Sequence, residues 1–225
     1  MALILNLETA TKTCSVSLAQ NGKEILTKEI TEEHFSHAEN LNIFIQEVMK
    51  SAGKNLKELD AVAVSEGPGS YTGLRIGAST AKGLCYALDI PLIAVNSLKS
   101  LAVLMDKNYD LICPMFDAMR MEVYAAVYDQ ALSEIQKTQA LIIEEKSFAD
   151  LLSQKSILFA GPGAIKCQDM IKNQNAHFDL QTAVSAKGMC ELSEQKFNAK
   201  EFEDLAYFEP FYLKDFVAGE KKNLL

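Results

Sequence analysis

Hydrophobic positions along the chain switch between a strand period and a helix period, and the switches mark the elements. "LILNLE" (3–8) is a short apolar run with the look of a central strand, and "CSVSLAQ" (14–20) alternates. The "NG" at 21–22 reads as a two-residue hairpin turn into "KEILTKEI" (23–30). Ser36 with Glu39 has the spacing of a capping box, which predicts a helix from about His37. Leu41, Phe44, Ile45, Val48 and Met49 then form one apolar stripe, and Gly53 ends the helix. "DAVAVSEG" (60–67) reads as a buried strand, followed by a glycine-rich helix to about Leu88, a strand in "IPLIAVNS" and a short helix over 97–105.

The second half echoes the first. "LICPMFDA", "EVYAAVYDQ" and "TQALIIEE" are strand patterns, and "SFADLLSQ" reads as helical. "SILFAGPGAIKC" (156–167) then repeats the strand-then-GPG arrangement of "AVAVSEGPGSYTGL". Two copies of a three-strand meander followed by helix and strand predict duplicated α/β lobes, over 1–100 and 101–225. Residues 168–184 carry no clear pattern. A last helix is expected over Ser185–Phe197, ahead of the aromatic tail "LAYFEPFYLKDF".

Composition narrows the function. The chain has 225 residues, 48% of them apolar and 23% charged, enough for a substantial core. A formal charge of -8 argues against a protein that grips nucleic acid alone, because phosphate neutralisation needs clustered Lys and Arg. The five cysteines are widely spaced with no C-x-x-C pair, so neither a disulfide framework nor a zinc knuckle is expected. No apolar run has the length of a membrane span, and the N-terminus lacks a signal-peptide pattern, so the cytoplasm is the expected location.

The stretch "SEGPGSYTGLRIGASTAKGL" (65–84) resembles a phosphate-cradling loop at first sight. The Walker pattern fails because Leu74, not lysine, follows Gly73, and the dinucleotide pattern fails because Thr72 stands where the third glycine belongs. On a helical wheel Leu74, Gly77, Ala78, Ala81, Leu84, Cys85 and Leu88 share the core face. Gly73, Ile76, Thr80, Gly83 and Ala87 form a second seam of small or apolar residues, which lets another helix come close. Arg75, Ser79, Lys82 and Tyr86 make the polar sector, where Lys82→Ala is expected to do little. Internal packing and docking on a partner both explain such a seam.

Nucleotide-dependent kinases with duplicated lobes place an acid at the end of the first strand and a glycine hairpin after it. Here Glu8 and Asp117 supply acids, while Ala10 and "AMRMEVY" lack the glycines that would let backbone reach phosphate. Either acid is a candidate Mg²⁺ ligand, against a plain structural carboxylate at a strand end. His34 and His37 are three apart, but the cap at Ser36 splits them, and His177 lies in the unassigned region. No metal site is expected. No G-x-S-x-G presents a serine nucleophile, and Ser70 reads as a turn or cap hydroxyl.

"AVAVSEGPGSYTGLRIGASTAKGLCYALDIPLIAVNSL" closely resembles the segment that marks TsaB (YeaZ-like) proteins, with "ILNLETATKTCSVSL" like their first hairpin and "SHAENL" like their His-Ser-Glu-x-Leu helix start. The resemblance covers residues 3 to about 100, with further cues in "AGPGA" and "EPFYLKDF". Glu8 stands where the family usually has Asp, and Ala38 replaces the Ser of the helix start. The resemblance implies a two-lobed α/β fold of RNase H-like lobes, the actin, sugar-kinase and Hsp70 (ASKHA) type. It implies a non-catalytic subunit, with no catalytic residue and no cofactor of its own, that pairs with a TsaD-like transferase in forming threonylcarbamoyladenosine in tRNAs reading codons that start with A. ATP or ADP and metal are then expected on partner subunits, a TsaE-like ATPase joins the pair, and tRNA is met only through the complex. Since the family pairs through its two N-lobe helices, the implied interface here includes Gly73, Ile76, Thr80, Gly83, Ala87, His37 and Leu41. A homodimer of the isolated chain is a further possibility. The rivals on the same fold are an ATP-dependent small-molecule kinase, which would need phosphate-facing glycines, and a metallopeptidase-like hydrolase, which would need a third ligand near His34 and His37.

Overall fold

The computed structural model describes residues 2–32 and 36–214, which build two five-stranded sheets of one topology. In the first, β1 (Leu3–Glu8), β2 (Thr13–Gln20) and β3 (Lys23–Thr31) form an antiparallel meander. After α1 (His37–Ser51), β4 (Ala61–Gly67) joins parallel to β1; after α2 (Tyr71–Leu88), β5 (Leu92–Asn96) joins parallel to β4. The second sheet repeats this with β6 (Leu111–Asp117), β7 (Glu122–Asp129) and β8 (Glu134–Ile142) as the meander. The short helix α4 (Ala149–Leu152) leads to β9 (Ile157–Ala160), and α5 (Ala164–Cys167) to β10 (Ala176–Asp179). Strand orders are β3-β2-β1-β4-β5 and β8-β7-β6-β9-β10, the duplicated α/β lobes read from the sequence.

Every residue of β1 is buried, which suits the four aliphatic side chains among its six residues and leaves Asn6 and Glu8 as buried polar groups. One face of the first sheet sends Leu5, Leu7, Cys14, Val16 and Leu18 against Leu41, Ile45, Val48 and Met49 of α1 and Ala81 and Cys85 of α2. The opposite face, Ile4, Ala61, Ala63, Ile93 and Val95, is covered from the far end of the chain by Ala186, Met189 and Leu192. Those residues lie in a 3-10 turn (Ala186–Met189) and in α6 (Cys190–Ala199). The exchange is reciprocal. Helix α3 (Ser97–Leu104), which ends the first repeat, puts Leu98, Leu101 and Ala102 against Ile112, Phe116, Ala126 and Leu158 of the second sheet. Each sheet therefore needs a helix from the other repeat, and a cut near residue 100 separates the sheets but not their cores.

Several local expectations are revised. The Ser36 carbonyl accepts from Glu39 N and Asn40 N at 3.1 and 3.0 Å, but the Ser36 hydroxyl makes no cap bond, so the capping box does not form. Ser36 sits at φ -116°, ψ 18°, outside the extended geometry that turns a cap oxygen toward the helix. Helix α2 starts at Tyr71, where Ser70 Oγ caps it by accepting from Gly73 N at 3.2 Å. β8 begins at Glu134, ahead of the apolar run, as a charged edge strand. β10 lies inside 168–184; with four residues at a sheet edge it was too short for a readable period. Among the described residues no helix is long and apolar enough to cross a membrane.

Candidate partner interface

Helix α2 is held against the first sheet by glycines. A Cβ on Gly69 would stand 2.3 Å from the Ala10 carbonyl oxygen, on Gly73 2.2 Å from the Thr9 carbonyl oxygen, and on Gly77 2.3 Å from Thr9 Oγ1. Gly73 and Gly77, one turn apart, line the side of the helix that rests on the β1–β2 turn, and Gly69 makes the same approach just ahead of the Ser70 cap. Ser70 N donates to Ala10 O at 2.7 Å and closes the contact. The glycines thus bring backbone against backbone, where a phosphate loop would have left room for a ligand. The second lobe repeats the device: a Cβ on Gly163 would meet the Phe116 carbonyl at 2.8 Å.

This divides the seam read from the sequence. Gly73 is buried inside the chain, as are His37, 1% exposed with its Nε2 2.8 Å from Thr11 O, and Leu41, 1% exposed in the α1–sheet core. These three positions are internal, because their Cα–Cβ vectors or small size are used by the chain's own turn and sheet. Ile76 and Thr80 are partly buried, and Gly83 and Ala87 are exposed. A Cβ on Gly83 would meet nothing within 4 Å. Two further side chains of these helices are exposed, Ile43 of α1 at 50% and Tyr86 of α2 at 83%, the latter next to Ala87 and at the end of the sector read as polar. The available signal was Ile43 standing off the apolar stripe of its helix.

Arg75 and Lys82 of the polar sector of α2 are engaged by the chain's own tail. Glu203 N donates to Leu92 O at 2.9 Å, Lys82 Nζ donates to the carbonyls of Ala206 and Phe208 at 3.2 Å each, and Phe211 N donates to Glu66 O at 2.7 Å. Arg75 donates to Tyr212 Oη at 3.3 Å and lies 4.2 Å from the Tyr71 ring centre, while the Tyr71 and Tyr212 rings stand 4.9 Å apart. A cavity of about 250 Å³ remains between this strap and Arg75, Ser79 and Lys82. Lys82 is thus an anchor, contrary to the neutral role expected of it.

The two strand-end acids sit in unlike surroundings. Glu8 is fully buried; its Oε1 accepts from Ala10 N at 2.6 Å, and Oε2 has no hydrogen-bond partner among the described residues. Burial raises its pKa from the ordinary 4.5 to about 7, against the lowering pull of the Ala10 amide and the Ser65 hydroxyl. Asp117 is half exposed and paired with Lys166, its Oδ1 2.5 Å from Nζ. His177 lies on β10 with its ring 4.8 Å from that of Tyr109, and His34 falls outside the described residues. Among the described residues no three His, Cys, Asp or Glu side chains converge as a metal would require. Burial pushes the Cys14 thiol up to about 12, and all five cysteines are free and buried.

With this geometry in place, comparison with known proteins is decisive. A family model described as "TsaD: tRNA N6-adenosine threonylcarbamoyltransferase" matches residues 25–221. A protein of Bacillus subtilis named tRNA threonylcarbamoyladenosine biosynthesis protein TsaB is 30% identical over 76% of this chain and 75% of its own length. The chain belongs to the TsaB (YeaZ-like) family. The Escherichia coli protein of the same name is 27% identical over 97% of both chains. A Pseudomonas aeruginosa crystal structure, described as similar to peptidase YEAZ, superposes with a TM-score of 0.84 over 95% of this chain and 100% of its own, at 26% identity. The family assignment and the duplicated fold agree with what the glycine stretch and the twin meanders implied.

Proposed function

We propose that this chain is the non-catalytic partner of a TsaD-like transferase in forming threonylcarbamoyladenosine in tRNAs that read codons starting with A, and that it pairs through the open side of α1 and α2. The relatives' names supply the pathway. The observation that carries the surface is the open stretch of α2 at Gly83 and Ala87, with exposed Tyr86 beside Ala87. Small residues there admit a second helix at close range, and the exposed ring gains from being covered. The same face serves a homodimer when the chain is alone.

A partner role also suits the strand ends. The turn after Glu8 is filled by α2, and the acid after β6 is engaged by Lys166. In this reading ATP or ADP and metal reside on the partner subunits, a TsaE-like ATPase joins the pair in the cytoplasm, and tRNA binds to the assembly, since a chain of charge -8 attracts it poorly. The test is Gly83→Arg with the TsaD-like partner, followed by sedimentation. The arginine has open space in the lone chain, so the monomer should melt as the parent does. Against a partner helix it becomes a buried unpaired charge, costing on the order of 3–5 kcal/mol and weakening pairing by at least about a hundredfold. Normal pairing by this variant would remove the face from the interface.

A further inference from the structure

The second GPG turn carries chemistry that the helix face does not use. Lys166 of α5 sends its ammonium back to the β6–β7 turn. There Asp117 Oδ1 lies at 2.5 Å and the carbonyl oxygens of Arg120 and Glu122 at 2.6 Å each. One carboxylate and two carbonyls around a single cationic centre form the kind of ligand set that a hard metal ion takes.

The turn is shaped for this convergence. Met119 and Arg120 have φ of +70° and +50°, the left-handed region that such side chains rarely occupy. Asp117 Oδ1 also accepts from Met119 N at 2.8 Å, which fixes the carboxylate inside the turn. Three oxygens brought together without a positive centre would repel one another, so the backbone geometry and the ammonium support each other. The Lys166 side chain is only 21% exposed, so the charge is held in place and not merely near. The first lobe has no counterpart: "GPGSYT" places Thr72 where "GPGAIK" places Lys166, and Thr72 is exposed.

We propose that the Lys166 ammonium fills a hard-cation position at the strand-end acid of the second lobe, so that this lobe carries its cation covalently and leaves Asp117 no place for an exchangeable one. A compact ammonium with three donors suits a three-oxygen cage. The inference does not depend on the pairing proposed above. A consequence follows for the empty cage: with the side chain cut back, Ca²⁺ should enter, while Mg²⁺, which needs bonds of about 2.0–2.1 Å and gives up water reluctantly, should not.

The test uses the full chain, hydrogen–deuterium exchange of residues 118–122, and Ca²⁺ as the probe. Lys166→Met keeps the stem and removes the charge; exchange in the turn should rise about tenfold while the two sheets stay protected. Lys166→Ala opens the cage, and millimolar Ca²⁺ should restore protection there, but not with Mg²⁺ and not in the double variant with Asp117→Asn. Unchanged exchange in Lys166→Met would show that the ammonium does not hold the turn. Faster exchange in Lys166→Ala that Ca²⁺ fails to slow, or a Ca²⁺ effect of equal size in the parent protein, would reduce Lys166 to an ordinary hydrogen-bond donor and overturn the proposal.

Discussion

Replacing Gly73 and Gly83 by alanine, one at a time, separates the two roles that glycine plays on α2. Both lie inside the helix, where alanine is favoured by about 1 kcal/mol. At Gly83 nothing opposes that gain, since a Cβ meets no atom within 4 Å. At Gly73 the Cβ would stand 2.2 Å from the Thr9 carbonyl oxygen and 3.2 Å from the His37 ring. Relief requires a shift of more than 1 Å, relative to an ordinary contact of roughly 3.4 Å. Thr9 cannot yield easily, because its amide is bonded to Ser65 Oγ at 3.1 Å and the next carbonyl to Ser70 N at 2.7 Å. Overpacking of this kind costs about 1–3 kcal/mol or somewhat more, and backbone against backbone belongs at the upper end. After the helix gain is subtracted, Gly73→Ala should lose about 2 kcal/mol and Gly83→Ala should gain about 0.5–1 kcal/mol. For a chain of this size that is a melting temperature about 4–8 °C lower in the first and about 1–4 °C higher in the second. Thermal and urea unfolding of the isolated chain measure both. If Gly73→Ala melts at or above the parent, the close approach of α2 to the β1–β2 turn is not what these glycines serve.

Glu8 should make stability fall as pH rises. Below about 4.5 the carboxyl is protonated in both states; from there to about 7 the unfolded chain ionises while the folded chain keeps its proton. The full loss, up to about 3 kcal/mol, is reached above pH 7, so the stability gap between Glu8→Gln and the parent should widen from pH 5 to pH 8; a gap independent of pH would contradict the buried environment. Lys82→Ala should free the strap, costing about 1–2 kcal/mol locally, and deuterium uptake over 203–212 should rise while α2 stays protected. The five thiols should resist a disulfide reagent in the native protein at pH 8 and react on unfolding, with Cys14 among the slowest; fast native labelling of Cys14 would contradict its raised pKa.

The elements of the first lobe were legible because each depends on neighbours along the chain. A strand buried on both faces is mainly aliphatic, as in β1 with only Asn6 and Glu8 polar, and an amphipathic helix repeats its stripe, as in α1. The "NG" turn and the Ser70 cap are likewise local devices, and the repeated GPG carried the duplication. The family signature lies in these same segments. Less was legible where a residue's meaning comes from a distant one. Gly73 and Gly83 are alike in sequence and differ only in what faces them, Thr9 in one case and open space in the other. Helical spacing places both on one seam, but the packing of α2 on the β1–β2 turn decides which is internal. His37 and Leu41, which the family resemblance puts at the interface, are enclosed by Thr11 and the first sheet.

The sequence alone therefore determined the order of the main elements outside 168–184, their duplication and the family, since these rest on periodicity and short-range turn chemistry. Tertiary structure decided that α3 and α6 exchange sheets, that the tail straps the polar side of α2, and that Lys166 reaches Asp117 from 49 residues away. The physical reason is that burial and electrostatics act through space. A lysine's charge, a glycine's missing Cβ and a carboxyl's pKa take their meaning from whichever groups the fold brings within a few ångströms, and chain spacing carries no record of those groups.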